Sequence, residues 1–124
     1  MKICLFPNLA YLSETSRLIE IYKALVEIGE TPLVATHGGT YEWVLDEENI
    51  PYHRVPPIMT PARCREYVLA NVGKRYGFYT ANELREHVNA EMHFFKQHDI
   101  GLVHIGFTLS TKLSTRVLNI SLAT

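Results

Sequence analysis

Residues 1–29 read MKICLFPNLAYLSETSRLIEIYKALVEIG, and this stretch decides the fold. Ile3 to Phe6 is a short apolar run closed by Pro7 and Asn8. A run apolar on both faces suits a central parallel strand covered by helices on either side. Beyond a polar turn, Leu18, Ile21, Tyr22, Leu25 and Ile28 recur at helical steps, with Arg17, Glu20, Lys23 and Glu27 on the other side. Gly29 supplies the left-handed stop. Ser13, Thr15 and Ser16 are the candidate caps at its start.

The strand, turn and helix pattern then repeats. Thr31 to Thr36 predicts a second strand, with Pro32 at its beginning where a missing N–H is tolerated. His37-Gly38-Gly39 makes the turn, and Thr40 to Glu48 predicts a short helix ended by Asn49. Tyr52 to Val55, between Pro51 and Pro56-Pro57, is a third strand. The segment from Pro57 to Tyr79 is the least regular. It reads as a loop with a helix over Ala62 to Val72, and it carries Arg63, Arg65, Lys74, Arg75 and several aromatics. Thr80 and Glu83 form a capping box, opening a helix to about Gln97 with Leu84, Val88, Met92 and Phe95 as its apolar stripe. Leu102 to Ile105 is a fourth strand, residues 106–119 a turn and helix, and Ile120 to Ala123 a fifth strand. The succession predicts one α/β domain over 1–124, a Rossmann-like open parallel sheet of about five strands with helices on both faces.

Composition narrows the function classes. With 12 Lys+Arg against 13 Asp+Glu, no field draws nucleic acid or an anionic membrane. No apolar run reaches the ~18 residues of a membrane span, and the N-terminus lacks a secretory pattern, so a cytoplasmic location is expected. Two distant cysteines, Cys4 and Cys64, provide neither a disulfide framework nor zinc spacing. His87, His93 and His98 stand six and five residues apart, off a common helix face, and read as solvated positions; His87 and Glu91 share a face but do not close a metal site. No metal is expected. The glycine-rich strings that cradle dinucleotides or triphosphates are missing, and the serines lack a nucleophile motif.

Ligands of open parallel sheets sit at the carboxyl ends of the strands. That edge collects Asn8, Ser13 and Glu14, then His37 and Gly38, then Gly106, Phe107 and Thr108, the candidate binding residues. The same residue types are also what ordinary strand-to-helix turns require. Glu14 stands at a helix start, where the dipole favours a carboxylate. It can cap the helix, pair with Arg17, or act as a general base.

The stretches RLIEIYKALVEIGETPLVAT (17–36), IPYHRVPP (50–57) and HFFKQHDIGLVHIGFTLSTKLSTRVLNISLAT (93–124) resemble, in pattern and order, the N-terminal domain of GT-B glycosyltransferases. The branch they look most like is the UDP-glycosyltransferases. The resemblance covers nearly the whole chain, as the front part of a two-domain enzyme. It implies an acceptor-side domain, with a small-molecule hydroxyl as acceptor and a UDP-sugar as donor. It places Ser13-Glu14 on the family's Gly-His turn, whose histidine deprotonates the acceptor with help from an aspartate. Glu14 thus stands where the family has its base, and a carboxylate accepts a proton less readily than an imidazole. The family's donor site lies mainly in a C-terminal domain, so a nucleotide sugar is expected only with such a domain or a partner chain. The fifth strand stops at Thr124 without a covering helix, which predicts a truncated or split protein and an exposed end open to self-association. The competing reading, of a different class, is a non-catalytic Rossmann-like binding module.

Overall fold

The computed structural model describes residues 1–71 and 79–124. The strands are β1 (Lys2–Leu5), β2 (Leu33–Thr36), β3 (His53–Arg54), β4 (Ile100–His104) and β5 (Ser121–Ala123). The helices are α1 (Leu12–Glu27), α2 (Glu42–Glu47), α3 (Pro61–Asn71), α4 (Ala81–Gln97) and α5 (Leu109–Leu118). All five strands are parallel, in the order β3-β2-β1-β4-β5. The expected α/β Rossmann-like sheet is what forms.

Alternation along the strands builds two cores. Cys4 and Phe6, Ala35, and Val103 and Ile105 pack with Phe94 and Phe95 of α4. Leu5 and Val34 point the other way, against Leu18 and Ile19 of α1 and Leu45 of α2. Each fully buried side chain of this size contributes about 1.5–3 kcal/mol. The handedness of crossovers explains the division of helices. From β1 to β3 the chain steps one way across the sheet; to β4 and β5 it steps the other way, so α4 lies on the opposite face. The reversal falls between β1 and β4.

Local stops behave as their residues dictate. Gly29 has φ 91° after α1, and Asn49 has φ 56° after α2. Thr80 caps α4 in the expected reciprocal box with Glu83. Other boundaries differ. β2 begins at Leu33 and β3 spans only two residues, because pairing between strands sets their length. α1 starts at Leu12 with Tyr11 as its N-cap and no side-chain cap, so Ser13, Thr15 and Ser16 fall inside the helix. Cys64 is buried in α3, within the helix expected from Ala62 onward. The expected end of that helix at Val72, together with Gly73, Lys74, Arg75, Tyr76, Gly77 and Phe78, lies outside the described residues.

The largest correction concerns α4. Its buried residues are His87, Glu91, Phe94 and Phe95; of the expected stripe, Leu84, Val88 and Met92 are only half-buried. His87 is not solvated, being 3% exposed. The helix is turned to bury a polar pair, for which α5 and β2 provide partners.

Candidate functional site

The strand reversal places two loops side by side. Asn8, after β1, donates from Nδ2 to the Phe107 carbonyl at 3.0 Å and accepts from the Ala10 amide at 3.0 Å. Thr108, after β4, donates to the Phe6 carbonyl at 2.8 Å. Both side chains are buried, so their role in the described structure is to bind one loop to the other.

Glu14 occupies the mouth of this junction. It lies four residues before Leu18, so helical periodicity turns it toward the sheet. Its carboxylate fills the space that a side chain at Gly106 would need. His104, register partner of Leu5, alternates onto the same face. Glu14, Arg17, His104 and Gly106, with Pro7 and Leu18, line a cleft of about 10 Å³, room for about one water. Burial, then the Arg17 charge, push the His104 pKa down, against a smaller opposing pull from Glu14. No ion pair joins Glu14 to Arg17 among the described residues. Ser13 is exposed on α1.

Beside the junction opens a mostly apolar groove of about 480 Å³. Ala10, Tyr11 and Leu12 form one wall, Thr40 and Tyr41 another, and Cys64, Arg65, Val68 and Leu69 of α3 the third. Phe107 stands edge-on to Tyr11 and to Tyr67, at centroid distances of 5.8 and 6.1 Å. Tyr67 also donates to the Phe107 carbonyl at 3.1 Å, fastening α3 over the loop after β4. A groove this size, apolar with few polar groups, suits a small organic molecule.

His37 and Gly38 stand one strand away from Glu14. Gly38 has φ 83°, and its amide donates to Thr36 Oγ1 at 3.0 Å. A Cβ at Gly39 would meet the Leu9 carbonyl carbon at 2.6 Å, so the bare backbone lets the two turns touch. His37 is buried and committed at both nitrogens, with Nδ1 2.8 Å from the Val55 carbonyl and Nε2 2.6 Å from Glu91 Oε2. A carbonyl only accepts, so Nδ1 carries a proton and Nε2 and Glu91 share the next one. Ser110 and Ser114 donate to the two Glu91 oxygens at 2.5 and 2.7 Å. His87 meets His37 edge-on at a ring-centroid distance of 4.1 Å and lies tilted against Tyr79 at 5.2 Å. Its Nδ1 donates to the Glu83 carbonyl, while its Nε2 is buried without a hydrogen bond. Burial, reinforced by His37, lowers the His87 pKa. The sequence pattern offers His87 and Glu91 only as an incomplete metal pair, and Ser110 and Ser114 only as serines without a nucleophile motif, and does not join them into one cluster. Their signal is two polar pairs at four-residue spacing, each pair lying on one face of its helix.

Among the described residues no group of three or more His, Cys, Asp or Glu could hold a metal ion, and no helix is long and apolar enough to cross a membrane. Cys4 and Cys64 are free and buried, and burial pushes the Cys4 thiol up to about 12.

No protein-family model and no curated protein matches the sequence. Among solved structures, the fold is similar to MurG of Acinetobacter baumannii, a GT-B glycosyltransferase, with a TM-score of 0.69 and 16% sequence identity. The likeness covers 98% of this chain and 34% of MurG, so the chain spans about a third of that protein's length. The domain therefore has a GT-B glycosyltransferase-like fold.

Proposed function

We propose that this chain is the acceptor-side domain of a cytoplasmic GT-B glycosyltransferase, completed by a donor-binding domain or partner chain. The observation that carries this reading is the Glu14 carboxylate at the strand reversal between β1 and β4, where open sheets bind ligands. An acceptor lies with its apolar body in the groove between Tyr11, Tyr41 and α3. Its hydroxyl gives its proton to Glu14, the oxygen bonds to the anomeric carbon of a UDP-sugar, and UDP leaves with the electrons of the broken bond. The completing half holds the nucleotide. Asn8 and Thr108 position the loops around the base, and Gly106 leaves room for its carboxylate.

A second reading, a non-catalytic binding module, draws on one observation. Glu14, and no histidine, stands at the position where the resemblance places the family's base, and His37, one strand away, has both ring nitrogens engaged. Mixing the chain with a donor-binding half, a UDP-sugar and a panel of hydroxylated aromatic acceptors tests both. Transfer that Glu14→Gln reduces by about a hundredfold supports the enzyme. Acceptor binding with no transfer supports the module.

A further inference from the structure

A second groove, of about 450 Å³, opens at the ends of β2 and β3 and shares Thr40 with the apolar one. Its character differs. Trp43 of α2, the chain's single tryptophan, stands in its wall 53% exposed. Around it are Glu42, Asp46, Tyr52 and Arg54. These polar groups are already held in place. Arg54 Nε lies 2.7 Å from Glu42 Oε1, and Tyr52 donates from its hydroxyl to Asp46 Oδ1 at 3.1 Å. Burial, then the hydrogen bond to Asp46, push the Tyr52 phenol up to about 12, so it stays a donor at neutral pH.

We propose that this groove binds a neutral sugar, with Trp43 as the platform for one face of the ring and the Glu42, Asp46 and Arg54 groups as partners for its hydroxyls. The chemistry selects the ligand class. A pyranose presents C–H bonds on one face, which settle on an aromatic surface, and hydroxyls at its rim that both donate and accept. Carboxylates take the donated hydrogens, and the remaining guanidinium N–H groups meet the lone pairs. Two carboxylates against one guanidinium repel phosphate, so a nucleotide is disfavoured. An exposed tryptophan ringed by fixed polar groups also departs from a simple surface helix, on which charged side chains are free. The site stands apart from the transfer reaction and does not require it.

Because Trp43 is the sole tryptophan, its emission reports the groove directly. Titration of the intact chain with glucose, N-acetylglucosamine and glucuronate is expected to give saturable changes for the neutral sugars, with dissociation constants of about 1 mM, and weaker binding of glucuronate. Asp46→Asn and Glu42→Gln are expected to weaken the neutral sugars about tenfold. In saturation-transfer NMR, Trp43→Phe keeps binding and Trp43→Ala loses it. The proposal is overturned by no saturable change up to about 50 mM sugar, by equal affinity in both carboxylate variants, or by tighter binding of uridine monophosphate than of any sugar.

Discussion

Glu91 of α4 and His37 at the end of β2 meet at 2.6 Å in the interior, where the carboxylate is wholly buried and the imidazole nearly so. The contact joins a helix on one face to a strand end at the ligand edge. With Ser110 and Ser114 of α5 donating to the same carboxylate, the end of β2 and α5 both converge on Glu91 of α4. Such a pair stabilises only while all its members are present, since a lone buried partner keeps its desolvation cost.

Glu91→Ala is therefore expected to destabilise the fold by about 3–5 kcal/mol, read as a shift in the urea midpoint. Glu91→Gln is expected to cost less. Its amide can donate to His37 Nε2 and its oxygen can accept from a serine. Equal losses in the two variants would show that the carboxylate's charge, and not its hydrogen bonding, is what the site needs.

His87 gives the fold a pH dependence. Its folded pKa is lowered from 6.5, and the groups facing it are His37, Glu91 and Glu83. As pH falls through 6.5 the unfolded chain takes up the proton first, so stability present above that value declines toward the lower folded pKa. His98 and His104 are also lowered and act in the same direction. His87→Phe is expected to reduce the slope of stability between pH 6.5 and the acid limb, not to abolish it. An unchanged slope in thermal melts across that range removes His87 from the account.

A separate acid limb belongs to Glu83, which the Arg63 hydrogen bonds hold down to about 2 from 4.5. Its stabilisation is present above 4.5 and is lost as pH falls toward 2, and Glu83→Gln should flatten that window. The Arg63 fork meets both Glu83 oxygens, at 2.7 and 2.9 Å, tying α3 to the start of α4. The pair is partly exposed, so Arg63→Lys is expected to cost about 0.2–1 kcal/mol in denaturant titrations.

Two glycines separate flexible from rigid obstruction. A Cβ at Gly39 meets Leu9 backbone atoms, which cannot move aside, so Gly39→Ala should cost about 3 kcal/mol. The atoms nearest to a Cβ at Gly106 are those of the Glu14 carboxylate, the end of a flexible side chain. Gly106→Ala should cost about 1 kcal/mol or less while displacing Glu14. In the reconstituted transfer assay it should then behave like Glu14→Gln. Full activity with Gly106→Ala would mean that the position of Glu14 is immaterial.

Much of the fold was legible because its signals are local. Apolar runs of four residues, Gly29 and Asn49 as left-handed stops, and the Thr80–Glu83 box each act within a few residues, and each appears where the chain pattern places it. The face of α4 was not legible. Counting apolar residues favours Leu84, Val88 and Met92, and nothing on that helix announces that Ser110 and His37 will meet Glu91 from 19 and 54 residues away.

Glu14 shows the same division at the candidate site. Its place at the start of a helix after the first strand follows from hydrophobic spacing; that the helix begins at Leu12, which puts Glu14 inside the first turn and on the face of Leu18, is decided by the structure. That it rests on Gly106, beside His104, depends on β1 pairing with β4 across almost the whole chain. Periodicity and capping are short-range and write themselves into neighbouring residues. The company a buried polar group keeps is set by which strands pair and which helices cover them, and that the packed chain alone decides.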